Sequence, residues 1–371
     1  MDGTRTTLAA ILNGSRSGEP WVGMVSDALL VAARQHGVGP LLYHALHEAG
    51  AWERQPSEIC DGLGQLAAQA ACLDELRAAT DRSVIATLAG AGLTPLIFKG
   101  AALAYRHYAE AWLRPRVDTD LLFAERERAD AAAVFEQMGF TLVPRPSGEH
   151  VTHQCTYVRL AHGVRAEYDV HWKIADPQVF ADVLSYEEIA RDAVAVPELG
   201  SAARSPSDVH ALIIACTHRV AHHYDSERLL FLYDIHLLGR RLDEASWNRA
   251  IGLASDRRIR GVCARGLSLA ADLFGTPVPP RVGTALNAVE EAEPTAVYLR
   301  DRLRRVDILR SDLHTLRGWR GRAQLLREHL LPPPGYLLAS YGQTRAALLP
   351  VLYIHRIVRG AFEWFSPLRR E

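Results

Sequence analysis

Between residues 93 and 176 the apolar spacing of this 371-residue chain changes from the 3.6-residue repeat of helices to the short, alternating runs of strands. Before that stretch, segments 23–36 and 57–91 carry apolar residues at helical spacing, and the first ninety or so residues read as helix. After Asp176 helical spacing returns, with helices expected near 207–222, 226–240, 244–254, 257–274, 293–307, 318–330 and 340–362. Ser185-Tyr186-Glu187-Glu188 has the form of a capping box, and Pro332-Pro333-Pro334-Gly335 is a rigid break. Inside the central stretch, a strand at 95–98 leads into a turn at Lys99-Gly100 and a short helix. A strand at 117–123, a helix at 125–138 capped by Gly139 and a strand at 140–143 follow. Two more strands, 153–160 and 164–174, flank Ala161-His162-Gly163 as a hairpin. Such a switch predicts an α+β fold. A small mixed-sheet core at 93–176 is flanked by an N-terminal helical region, 1–92, and a C-terminal one, 177–371.

Charge narrows the partners. The 42 basic and 43 acidic residues nearly cancel, so the basic excess of a general nucleic-acid binder is missing. A nucleotide needs only a few local cations and stays open. Five cysteines, none in a Cys-x-x-Cys pair, argue against a disulfide framework or structural zinc and for a reducing cytoplasm. The N-terminus lacks the apolar stretch of a signal peptide. No apolar run is long enough to span a bilayer, so no membrane partner is expected. Abundant alanine, with arginine far in excess of lysine, suggests a GC-rich bacterial genome.

The sharpest chemical signal is Asp118-Thr119-Asp120 in an apolar strand. Residues i and i+2 of a strand share a face, so the two carboxylates stand close together and repel. A divalent cation such as Mg²⁺, or Mn²⁺, resolves that repulsion because hard cations prefer carboxylate oxygens. A bare Asp-x-Asp also suits an exposed edge strand with solvated acids. The later strand places Glu167, Asp169 and His171 on one face, and Asp169, with Glu167 as the alternative, supplies a third acid. Asp169 alone would equally be a polar strand end. Three acids suit metal-assisted phosphoryl or nucleotidyl transfer.

Lys99-Gly100-Ala101 sits on a strand-to-helix turn, where a glycine lets backbone approach a phosphate and a helix N-terminus attracts anions. Arg114 and Arg116, just upstream of Asp118, either neutralise a triphosphate or pair with the acids. His218-Arg219-Val220-Ala221-His222 spaces two imidazoles one helical turn apart but lacks the glutamate of a zinc-protease helix. Trp172 reads as a core residue before a base-stacking one. Asp234, inside the apolar run 229–238, needs a partner; Arg228, a histidine or the cleft would provide it. No Walker-type loop and no Gly-x-Gly-x-x-Gly occurs.

These residues carry a resemblance. Phe98-Lys99-Gly100, Arg114-Pro115-Arg116, Asp118-Thr119-Asp120-Leu121-Leu122, Gly139-Phe140 and Asp169-Val170-His171-Trp172 resemble the motifs of an uncharacterised bacterial nucleotidyltransferase family. That family is itself similar to the DNA polymerase β nucleotidyltransferase superfamily. His218, Arg228 and Asp234 match its downstream helical region. The chain departs from the superfamily at the turn, where Gly100-Ala101 stands for Gly-Gly or Gly-Ser, and in a longer gap from Gly100 to Asp118. The resemblance implies a Mg-dependent nucleotidyltransferase that moves a nucleoside monophosphate from an NTP to a hydroxyl or phosphate of a small-molecule or peptide acceptor. Asp118, Asp120 and Asp169 would bind metal and be catalytic. Lys99, Gly100, Ala101 and Arg116 would hold the nucleotide, and His171, His218, Arg228 and Asp234 would line the acceptor side. A transferase using a nucleotide sugar at the same acids, or a non-catalytic nucleotide-binding protein, is the alternative; the Gly-Ala turn favours the latter.

Overall fold

The computed structural model describes residues 3–14, 23–146, 148–288 and 293–368. Four helices come first: α1 (Gly3–Asn13), α2 (Asp27–Gln35), α3 (Gly39–Glu48) and the 34-residue α4 (Ser57–Gly90). Then β1 (Leu96–Phe98), α5 (Lys99–His107), β2 (Thr119–Leu122), α6 (Arg128–Gln137), β3 (Thr141–Leu142), β4 (Gln154–Ala161) and β5 (Val164–His171) build most of a sheet. The short helices α7 (Gln178–Ala181) and α8 (Tyr186–Arg191) precede β6 (Val194–Ala195) and β7 (Arg204–Ser205). The remainder is helical: α9 (Asp208–Ala221), α10 (Leu229–Gly239), α11 (Glu244–Asp256), α12 (Arg260–Phe274), α13 (Pro280–Asn287), α14 (Arg305–Thr315), α15 (Trp319–Leu330), α16 (Pro334–Ser340) and α17 (Leu349–Phe365).

The seven strands run in the order β3-β4-β5-β2-β1-β7-β6, a mixed sheet flanked by helices, so the fold is α+β as the sequence predicts. β2 pairs antiparallel with β1 and parallel with β5. Strand parity sorts the two faces. Ile97, Leu121, Phe123, Tyr168 and Val170 pack with Val84, Leu88 and Phe135 beneath the sheet, against α4 and α6. Leu96, Phe98 and Leu122 face the other way, into a second core that also holds Leu42, Leu63, Leu212, Leu232 and Leu267. Helices on both sides of the sheet in sequence, α1–α4 and α9–α13, contribute to this one apolar core.

The β4–β5 hairpin turns on His162-Gly163, both at positive φ (51° and 76°). That two-residue geometry matches the twist of the strands and locks their register. The Ser185 capping box forms as expected: the Ser185 hydroxyl accepts the Glu188 N–H at 3.2 Å, and the Glu188 carboxylate accepts the Ser185 N–H at 3.3 Å.

Three segments differ from the sequence reading. β6 and β7 extend the sheet beyond residue 176, where helix was expected; two residues each is too short for a visible alternation. The helix expected at 293–307 is a 3-10 turn, Pro294–Leu299, followed by α14 from Arg305. Glu293 is drawn off to accept the backbone N–H groups of Arg260 and Gly261, both at 2.9 Å, at the start of α12. The helix expected at 340–362 starts at Leu349, because Pro350 suits a first turn and not an interior.

Asp312 of α14 accepts the Gln178 N–H at 2.8 Å and is buried. Burial, opposed in part by that hydrogen bond and reinforced by Asp176, pushes its carboxyl up to about 7. The folded state then binds the proton more tightly than the unfolded chain, so stability falls as pH rises from about 4 to about 7. Asp312→Asn keeps the acceptor and removes the charge. It is expected to stabilise the protein by about 2–3 kcal/mol at pH 8 and little at pH 4. Urea unfolding at both values checks this; an equal effect at both would sink it.

Candidate functional site

Parallel pairing of β2 with β5 sets Asp120 opposite Asp169 and Leu122 opposite His171. By parity all four point to the same face of the sheet, toward α9 and α10. The result is a cluster in which an oxygen of Asp120, an oxygen of Asp169 and a ring nitrogen of His171 all lie within 4.8 Å of one another. It is the group of three such donors found among the described residues. Lys99 supplies the local positive charge: its Nζ lies 3.0 Å from Asp120 Oδ1 and 3.3 Å from His171 Nε2. His171 Nε2 lies 2.9 Å from the same Asp120 oxygen.

Lys99 stands at the β1–α5 junction with φ of +53°, and this left-handed turn aims its side chain back across the strand ends. Asp118 falls just before β2 rather than within it. It shares the cleft with Asp120 but is not one of the three converging donors. Burial, with the Asp120 charge next, pushes its carboxyl up to about 6. Burial likewise raises the Asp169 carboxyl despite hydrogen bonds from Thr156 and Gln154. Burial and then the Lys99 ammonium push His171, His218 and His222 well below the usual imidazole range, so all three are neutral.

The acids open into a cleft of about 440 Å³. Lys99, Gly100, Arg116, Asp118, Asp120, Asp169, His218, Arg228 and Asp234 all border it. Two predicted residues do not. Ala101 turns into the core beneath the sheet, and His171 lies under the acids with 1 % of its surface exposed. Glu167, the alternative third acid, is taken up by Arg165 at 2.9 Å and Arg145 at 3.8 Å. Trp172 is buried, with the Arg128 guanidinium 3.8 Å over its ring. His218 packs against His222 and His223 as rings, with centroids 5.1 and 4.9 Å away.

Arg114-Pro115-Arg116 works as a two-sided clamp. Arg114 reaches the α10 side and donates two hydrogen bonds to Asp234, at 2.9 and 2.7 Å, while the Tyr108 hydroxyl donates a third at 2.7 Å. Asp234 thus finds its partner in Arg114, not in Arg228 or a histidine. Arg116 reaches the α4 side, where it meets Asp81 at 3.0 Å and Asp74 at 3.4 Å and donates to Thr119 at 2.7 Å. Tyr168 and Thr119 donate to the same Asp81 carboxylate. Both arginines are therefore neutralised by protein carboxylates. A Cβ at Gly100 would come within 2.6 Å of the Arg114 guanidinium, which would have to shift to make room.

Residue-level reading missed Thr156, Gln154, Tyr108, Asp74 and Asp81. Thr156 was within reach: a two-residue turn at 162–163 pairs residues summing to 325, which sets Thr156 opposite Asp169. No local signal marks Asp74 and Asp81 on α4, or Tyr108 at the end of α5, as partners.

The donor set tests whether a divalent cation fits. Asp118, Asp120 and Asp169 bring three carboxylates to one cleft wall against a single ammonium, and two of their oxygens already converge with an imidazole nitrogen. An oxygen-rich donor set of this kind suits a hard divalent ion. No curated protein matches the chain. A family model described as "Uncharacterised nucleotidyltransferase" matches residues 25–275, which takes in α2 to α12, the whole sheet and the cleft. The chain belongs to that nucleotidyltransferase family.

Proposed function

We propose that the protein is a Mg²⁺-dependent nucleotidyltransferase that passes a nucleoside monophosphate from an NTP to an acceptor hydroxyl or phosphate, with release of pyrophosphate. The observation that carries this reading is the convergence of Asp120 and Asp169, with His171 beneath them and Lys99 beside them, on the wall of a cleft large enough for a nucleotide. Asp118, Asp120 and Asp169 would hold the metal, Mg²⁺ or Mn²⁺, which when bound lowers the charge on the phosphates and polarises the reacting phosphorus. Lys99 and the first backbone N–H groups of α5 face the remaining phosphate charge. His171, neutral and buried, orients Asp120 through its 2.9 Å contact. Asp169, which accepts hydrogen bonds from Thr156 and Gln154, would accept or orient the acceptor's proton.

His218 and Arg228 line the opposite wall and would meet a small-molecule or peptide acceptor. The loop that carries Arg228 is fixed from below, where buried Arg219 pairs with Asp225 at 2.6 Å and donates to the Ser226 carbonyl at 2.9 Å. Arg116, bound to Asp81, would act on a nucleotide only as the rigid back of the cleft. The five cysteines are all free, which fits the bacterial cytoplasm we assign to the protein.

Isothermal titration with each NTP, with and without Mg²⁺, tests the reading beside the Asp118→Ala/Asp120→Ala double variant. Metal-dependent binding of one NTP that vanishes in the variant is expected and identifies the donor. A folded wild-type protein that binds no NTP would overturn it. A transferase acting on a nucleotide sugar at the same acids would bind its donor without releasing pyrophosphate.

A further inference from the structure

We propose that the C-terminal helix α17 lies flat on an anionic lipid surface, with Val351, Ile354, Val358 and Phe365 immersed among the acyl chains. This rests on residues outside the family-matched stretch 25–275 and is independent of the nucleotide site. At 100° per residue the four side chains fall within an arc of about 60° on one side of the helix. Each is between 59 % and 64 % exposed. The opposite side faces the protein: the Tyr353 hydroxyl donates to the Pro332 carbonyl at 2.7 Å, and the Trp364 ring meets His329 with centroids 5.6 Å apart. The helix end is pinned as well, by the Leu368 N–H to the Leu303 carbonyl at 2.7 Å and by Arg305 to Glu363 at 3.3 Å. The apolar stripe is thus held outward by construction. Among the described residues, ten of the fifteen large exposed apolar side chains lie between positions 319 and 365, including Trp319 at 74 %.

Charge selects the occupant. Residues 300–371 contain fourteen arginines, six carboxylates and no lysine, a surplus of eight positive charges on a chain whose total is −1. Arg359 stands on the same helix with 69 % of its side chain exposed, 3.4 Å from Glu363. A second copy docked on the stripe would set that surplus against itself. A nucleic acid would meet the arginines and leave the apolar side chains in water. A bilayer with anionic headgroups satisfies both, as it does for interfacial amphipathic helices generally. The 17-residue helix is about 25 Å long, and among the described residues no helix is long and apolar enough to cross a membrane. The absence of a spanning run, from which no membrane partner was expected, says nothing against a helix lying on the surface.

The test is co-sedimentation of the full-length protein with phosphatidylcholine vesicles, with and without phosphatidylglycerol, at low salt. The wild type is expected to pellet with the anionic vesicles and to be released by salt. Ile354→Glu/Val358→Glu is expected to weaken partitioning at least about ten-fold with its circular dichroism unchanged. If the glutamates disturb folding, Val351→Ser/Phe365→Ser asks the same question. Wild-type protein that stays in solution with anionic vesicles, or a variant that pellets like wild type, overturns the proposal. So does sedimentation velocity showing a wild-type dimer that the variant converts to monomer, since a second copy would then cover the stripe.

Discussion

Asp120→Asn is expected to lower pyrophosphate-releasing turnover by about 10²–10³-fold or more while the protein keeps its fold. Asparagine matches the size of the side chain and still offers a carbonyl oxygen to Lys99 and His171, which both lie against Asp120 Oδ1. What disappears is the charge that sits opposite Asp169 in the sheet register. Asp118→Asn should be the milder change, because Asp118 precedes the strand and stands apart from the converging donors. The order of the two effects is as informative as their size. The assay follows pyrophosphate release from whichever NTP titration identifies, with circular dichroism as the fold control. An Asp120→Asn protein that retains turnover within ten-fold of wild type would falsify the assignment of the acids.

Asp234→Ala should cost about 3–5 kcal/mol of folding stability, because it strands a buried guanidinium. Asp234 and Arg114 have 4 % and 8 % of their side chains exposed, so solvent cannot take over for either partner. The Tyr108 hydroxyl would lose its acceptor at the same time. Removing both charges with Arg114→Met/Asp234→Leu should cost clearly less than the sum of the two single changes, since neither group is then left unpaired. Urea denaturation of the four proteins in this cycle measures it. A loss under 1 kcal/mol for Asp234→Ala would mean that Arg114 finds water or another acceptor.

The parts of this protein that follow local rules were legible in its sequence. Alternation placed β2 and β5 and put Asp120, Asp169 and His171 on one face of the sheet. The Gly139 cap and the Ser185 box lay where their spacing put them, and the helical register of 208–221 and 229–239 was readable within a few residues. What stayed hidden depends on residues far apart in sequence. Arg114 meets an acid 120 positions later, and Arg116 meets one 35 positions earlier. Nothing near either arginine distinguishes a group destined for a protein carboxylate from one facing a phosphate. The helix expected at 293–307 failed for a similar reason. Its own spacing was adequate, but Glu293 completes α12 instead.

Lys99 has a backbone that most side chains avoid. Holding a residue with a Cβ at φ of +53° costs about 1 kcal/mol relative to glycine or a comparable turn former. Stability and chemistry consequently pull in opposite directions at this one position. A design procedure guided by backbone geometry would place glycine there and obtain a firmer protein. It would also remove the ammonium that lies against Asp120 and His171. Under the proposed function, a lysine at this turn would mark retained cleft chemistry in a relative, and a glycine or asparagine in its place would mark a copy that had drifted toward a scaffold.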